Sequence, residues 1–139
     1  MNGGLSLVLV RMGGRPCAIP CEQIVEIVPR VNLDHIPDAP AEVLGVMNLR
    51  GRVVPVMDVR SRVAGRTPTA HAYQHLVVVQ ASERQVGLAV DEVREVVEVA
   101  PSAIENPSEL TGSKGPGVVR VKDEMVLVIS PEDLIHASG

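Results

Sequence analysis

Gly45 to Asp58 read GVMNLRGRVVPVMD, two apolar runs on either side of the polar turn Asn48-Leu49-Arg50-Gly51-Arg52, and that pattern predicts a β-hairpin. Gly51 tolerates the positive φ of a tight turn, and Val53, Val54, Val56 and Met57 give the return strand its β-branched and apolar density. Pro55 interrupts that strand. With no N–H to give to a ladder, it belongs at a sheet edge, a bulge or a barrel corner.

On the N-terminal side of the hairpin, Leu5 to Met12, Gly13-Gly14 and Arg15 to Pro20 read as strand, tight turn and strand. Cys21-Glu22-Gln23 suits a single helical turn, after which Ile27, Val28 and Val31 resume an extended pattern. Pro29, Pro37 and Pro40 mark a loop. On the C-terminal side, Arg60, Arg62 and Arg66 with Gly65 and Pro68 read as a solvated linker. Ser130-Pro131-Glu132-Asp133 starts a helix: a capping hydroxyl, a proline in the first turn and acids at the positive end of the dipole, with Leu134 and Ile135 as anchors.

The chain also repeats itself. Leu7 to Val28, LVLVRMGGRPCAIPCEQIVEIV, lies without a gap on Leu76 to Val97, LVVVQASERQVGLAVDEVREVV, with Arg15 on Arg84, Ile24 on Val93 and Glu26 on Glu95. Gly45 to Val56 lies on Gly117 to Val128, with Gly on Gly and Arg50 on Lys122. A period of about 70 residues occurring twice is a duplicated supersecondary unit, too small to bury a full core alone. Each copy holds about five short strands, enough to curl into a small barrel that hides its edges. The expectation is an all-β protein, mainly β with short helical turns and a C-terminal helix, forming one domain over residues 1–139. Within it, a first barrel spans 5–63, a second spans 75–137, and 64–74 link them. The loop Ala100 to Pro116 is the enlarged counterpart of Asn32 to Ala41.

Composition narrows the function. With no Phe, no Trp and one Tyr, the core is built from Val, Ile, Leu and Met. A net charge of -4 argues against a general nucleic-acid binder, whose affinity rests on a basic surface. The basic run Arg50, Arg52, Arg60, Arg62 and Arg66 reads as a solvated face, and a single Tyr offers no platform for stacking bases. Cys17 and Cys21 read as small core residues, neither a disulfide nor a zinc pair. His71 and His75 sit in linker-like sequence, so no metal site is expected. No nucleophile elbow and no phosphate-cradling glycine loop is present, and Asp34, Asp38, Asp91 and Glu92 fall in turns without paired spacing; no enzyme and no cofactor are expected. The apolar run Leu5 to Val10 ends at Arg11, too short to span a bilayer, which makes the cytoplasm the expected compartment.

GVMNLRGRVVPVMDVR resembles the central motif of CheW-like domains, the coupling modules of bacterial chemosensory arrays, and the resemblance runs from about Leu5 to Ile135. AIPCEQIVEIV resembles that family's AIP, helical turn and EI segment. HIPDAPAEVLGVMNLRG resembles its PxAPxxxxGxxNLRG run, and VGLAVDEVREVVEV its VGLxVDxVxEV segment. The phenylalanines common in the family are absent here, and the C-terminal VKDEMVLVISPEDL departs from its usual acidic residue followed by leucines. The resemblance implies two five-stranded SH3-like β-barrels with a hydrophobic seam and a groove between them. It implies a non-catalytic adaptor that links the cytoplasmic tip of methyl-accepting chemoreceptors to the regulatory domain of a CheA-like histidine kinase. Such an adaptor is cytoplasmic, is recruited to membrane-associated arrays without inserting in the membrane, and can self-associate in array rings. The competing readings are a nucleic-acid-binding β-barrel and an accessory regulatory domain that binds only one array partner.

Eight residues follow as partner-binding candidates. Glu26 and Arg50, with their repeat counterparts Glu95 and Lys122, suggest that each barrel brings an acid near the turn of its central hairpin. Arg50 either ties the hairpin to its neighbour or offers part of its five-donor fork to a partner. The resemblance places Arg50 and its neighbours Asn48 and Gly51 at the receptor-coupling surface. Ile24, Gly45, Val46 and Gly87 either serve packing and turn geometry or line an apolar groove in which small residues let a receptor helix approach.

Overall fold

The computed structural model describes residues 4–65, 73–106 and 117–137. Arg66, Pro68, His71, most of the 64–74 stretch and the second part of the Ala100 to Pro116 loop lie outside them. The order of elements repeats as the sequence does. The first copy holds β1 (Leu5–Met12), β2 (Arg15–Pro20), a 3-10 turn (Cys21–Gln23), β3 (Ile24–Pro29), β4 (Val43–Leu49), β5 (Arg52–Met57) and helix α1 (Arg60–Ala64). The second holds β6 (His75–Ala81), β7 (Arg84–Val90), β8 (Glu92–Val99), a 3-10 turn (Pro101–Ala103), β9 (Gly117–Val121), β10 (Glu124–Val128) and α2 (Pro131–Ala137). His75 therefore opens a strand rather than sitting in a linker, and β3 stops at Pro29, short of Val31.

The fold is mainly β, in two five-stranded sheets of the expected SH3-like kind, ordered β8-β1-β2-β10-β9 and β3-β6-β7-β5-β4. Written in repeat terms the two orders are the same, but each sheet takes a hairpin from one copy and three strands from the other. The expected boundaries at 5–63 and 75–137 are therefore corrected: the second sheet is one continuous segment, 24–90, and the first is assembled from 5–20 and 92–128. After β2 the chain leaves its sheet through the Cys21–Gln23 turn, so the free edge of β1 is filled by β8, from Leu5 opposite Val99 to Arg11 opposite Glu92. Because both copies carry the same apolar alternation, either hairpin fits either sheet, and periodicity alone cannot reveal the exchange.

Three apolar clusters follow. Leu7, Leu9, Ala18, Val119 and Val126 fill the first sheet's barrel. Met47, Leu49, Val54, Val56, Leu76, Val78 and Ala89 fill the second, with Tyr73 among them. The largest cluster is the seam between them, where Val8, Val10, Met12 and Ile19 of one sheet meet Val77, Val79, Leu88 and Val90 of the other. Strand alternation explains this: successive residues of β1 and of β6 point into the barrel and into the seam in turn. Cys17 belongs to the seam, and burial pushes its thiol up to about 12 despite Arg15 nearby.

The opening hairpin forms as read, with a tighter turn. Only Arg50 and Gly51 leave the ladder, both in the left-handed region at φ 52° and 83°, while Asn48 and Leu49 remain in β4. Asn48 Oδ1 accepts from the Gly51 amide at 2.9 Å and braces the turn. Pro55 lies in a strand with two neighbours, and still no ladder bond is lost. Opposite it, Val46 turns its amide and carbonyl away to Asp34, both at 2.9 Å, and β5 meets β7 only from Val56 onward.

The solvated linker is corrected most sharply. Arg60 is 0% exposed, the one buried charged residue among those described. Arg62 is held by Glu42 Oε1 and Oε2 at 2.6 and 2.7 Å and donates to the Leu134 carbonyl, so it ties α1 to α2. A run of arginines in sequence is thus no basic stripe in space.

Candidate functional site

Glu26 stands on β3 just after a register shift between Ile24 and Glu26, a bulge that sets the direction of its side chain. The carboxylate meets the Arg50 guanidinium in a two-point fork, Nε to Oε1 at 3.0 Å and Nη2 to Oε2 at 2.9 Å. That hydrogen bonding holds the Glu26 carboxyl below its usual range and raises Arg50. The acid is a quarter exposed and the arginine 72% exposed, so the pair fixes one edge of the fork and leaves the rest to solvent. Lys122 and Glu95 repeat the arrangement, Nζ lying 3.1 and 2.9 Å from the two carboxylate oxygens. Lysine brings a point charge where arginine brings a planar fork, so the two tips are not chemically equal.

The surroundings differ in part. Beside Glu26 on β3 the outward positions are Val25 and Ile27, both exposed, and Val53 on β5 is 73% exposed. An open cleft of about 500 Å³ runs along the start of β5, on the side that β7 has not yet joined, with Arg52, Val53, Pro55, Gln80, Arg84 and Gln85 in its walls. The corresponding face of the first sheet is knit by charge: Arg94 reaches Glu124 at 3.1 Å, and Arg11 reaches Glu124 at 3.6 Å and Glu92 at 3.4 Å. Both sheets expose aliphatics at matching positions, Ile27 and Val53 on the second and Val96 and Met125 on the first, so the two tips differ in the fork and in Val25, which stands where the first sheet has Arg94. Val25, Ile27 and Val53 escaped the sequence reading, although apolar residues at the outward positions of a half-buried strand are a legible signal.

The eight candidates do not form one surface. Glu26, Asn48, Arg50 and Gly51 gather at the hairpin tip. Ile24 is half-buried and packs against the seam. Gly45 is buried at φ 149°, and a Cβ there would come within 2.5 Å of the Asp34 carbonyl oxygen, so its glycine serves the Asp34 to Val46 bridge. Its repeat counterpart Gly117 stands beside the matching bridge from Glu105 to Val118, and a Cβ on it would lie 2.7 Å from Ile104 Cγ2. Val46 is half-buried and committed to the same bridge through its backbone. Gly87 is buried too, where a Cβ would touch Met47 Cε and Val56 Cγ2 at 3.4 Å. Neither Gly45 nor Gly87 lines an open groove.

Among the described residues no group of three His, Cys, Asp or Glu side chains could hold a metal ion, and no helix is long and apolar enough to cross a membrane.

Residues 6–139 match the family model described as CheW-like domain. The chain is 30% identical over 132 residues to a chemotaxis protein CheW of Rhizobium meliloti (strain 1021), covering 92% of this chain and 85% of that one. It is 25% identical over 127 residues to a chemotaxis protein CheW of Helicobacter pylori (strain ATCC 700392 / 26695), covering 89% and 77%. The crystal structure of the scaffolding protein TtCheW from Thermoanaerobacter tengcongensis superposes with a TM-score of 0.80 at 25% identity, covering 94% of this chain and 86% of that one.

Proposed function

The chain belongs to the CheW-like domain family and is a chemotaxis adaptor; from that premise we propose that it joins the cytoplasmic tip of transmembrane chemoreceptors to the regulatory domain of a CheA-like histidine kinase. It does so in the cytoplasm, by surface contact and with no catalysis of its own. The observation that supports a docking role is the forked Glu26–Arg50 pair at the hairpin tip, whose arginine is largely exposed, on a sheet that also exposes Val25, Ile27 and Val53. An ion pair that leaves donors free, on a sheet that also exposes apolar side chains, offers both the orienting polar contact and the apolar area that a modest, exchangeable interface needs. Nucleic acid is disfavoured as the partner, because Arg60 is buried and Arg50 and Arg62 are already held by carboxylates.

Immobilised receptor-tip fragment and kinase regulatory domain, each offered to the full chain at physiological salt, test the assignment. Binding to both is expected. Retention of one alone makes this an accessory regulatory domain, and binding to neither sinks the adaptor reading.

A further inference from the structure

The chain passes from one sheet to the other at two places, the Cys21–Gln23 turn between β2 and β3 and the single residue Asp91 between β7 and β8. The duplication makes these two joints equivalents, yet they are built differently. At Asp91 the joint closes around a buried guanidinium. Arg60 gives Nε and Nη2 to Asp58, at 2.9 and 2.8 Å, and Nη1 to Asp91 Oδ1 at 2.8 Å, with its cationic carbon 5.7 Å from the centre of the Tyr73 ring. The other Asp91 oxygen accepts the Gly14 amide at 2.6 Å, and the Asp91 amide is spent on the Arg11 carbonyl at 2.8 Å. Segments from both sheets and from α1 meet in this knot.

At the equivalent joint the alignment puts Glu132 for Arg60, Ser130 for Asp58, Glu22 for Asp91, and Ser82-Glu83 for Gly13-Gly14. Among the described residues no buried cation stands at its centre. Ser82 Oγ donates to Glu132 Oε1 at 2.6 Å on the surface, and Glu22 is exposed. Gln23 keeps its Oε1 out of water without a hydrogen-bond partner, and the register of β3 shifts just beyond. An unpaired buried oxygen is a standing cost that opening relieves, whereas opening the Asp91 joint would strip a buried charge of its partners.

We propose that the Cys21–Gln23 joint is a compliant end of the seam, opening locally in the native protein, while the Arg60–Asp91 joint stays shut. The packed seam between the joints remains closed, so the motion is confined to the turn and the start of β3, the strand that carries Ile24 and Glu26. The inference rests on the two joints alone and stands whether or not the docking assignment does.

Amide hydrogen exchange of the full chain, read residue by residue, tests it. The Ile24 amide, which bonds the Cys21 carbonyl, is expected to exchange at least about 100-fold faster than the Asp91 amide and to be indifferent to low denaturant, as local openings are. Arg60→Met should bring the Gly14 and Asp91 amides toward the Ile24 rate and leave Ile24 unchanged; Asp91→Asn serves the same comparison on the Gly14 amide if Arg60→Met does not fold. Equal protection of Ile24 and Asp91, or Gly14 protection indifferent to the substitution, overturns the proposal.

Discussion

Arg60 and Asp91, thirty-one residues apart, meet at 2.8 Å where the second sheet hands the chain to the first. The arginine is fully buried while Asp58 and Asp91 keep 17% and 21% of their side-chain surface in water. Arg60→Ala leaves two carboxylates facing an emptied site. Breaking a buried pair from one side costs about 3 to 5 kcal/mol, and the partial exposure of the acids puts this case near about 3 kcal/mol. Urea unfolding of the variant against the parent measures it; a loss below about 1 kcal/mol would make the knot decorative.

Acid should loosen the same contact. Burial, the largest influence on Asp91, pushes its pKa up, but the hydrogen bonds from Arg60 and from the Gly14 and Gly13 amides together hold it below the ordinary 3.8. A folded-state pKa below the unfolded one contributes stability that is complete above the unfolded value and is lost as pH falls through the folded value. Stability should therefore be flat near neutrality and decline from about pH 4 downward. Chemical denaturation at a series of pH values should show a shallower decline in Arg60→Met.

Gly45 and Gly51 separate fold from surface. Gly45→Ala places a methyl against the Asp34 carbonyl in a region of φ that L-residues avoid, at a cost of about 2 kcal/mol or more. Gly51, with open space around its Cα, should lose only about 1 kcal/mol on the same change. Thermal melts of the two variants, run side by side, check the order.

Arg50→Ala should leave the melt unchanged and weaken capture by the partner that docks on the hairpin tip. Val53→Glu should do the same through the exposed apolar area of that sheet, since Val53 is 73% exposed. A fall in melting temperature that accounts for the lost binding would return both residues to a structural role.

Thiol chemistry offers a fifth measure. With its pKa pushed up to about 12 and its side chain in the seam, Cys17 holds little thiolate at neutral pH. Its alkylation at pH 8 should proceed only at the rate of unfolding, and rapid labelling in the native protein would contradict the burial.

Much of this was legible in the chain. Alternation fixed β1 to β10 and their turns to within a residue or two, and the repeat located the Glu26–Arg50 and Glu95–Lys122 pairs, because spacing within a repeat survives whatever the sheets do. The exchange of hairpins was not legible: Leu7 on Leu76 and Val10 on Val79 are interchangeable to a periodicity argument. Arg60 was misread for a physical reason. Its burial depends on Asp91 and Tyr73, distant in sequence, and local composition weighs only neighbours. Gly45 and Gly87 looked like groove residues because glycine permits close approach, but the approaching groups are the protein's own Asp34 and Met47.

The interleaved strand order also sets a timetable. Everything the second sheet needs lies between residues 24 and 90, so it can close as soon as that stretch has left the ribosome. The hairpin β1–β2 emerges first and waits longest, its edge unsatisfied until β8 follows Asp91 out. A chain that begins one sheet, completes the other and then returns must keep the outer edges of its first hairpin unpaired through most of its own synthesis, when aggregation rather than stability is the hazard.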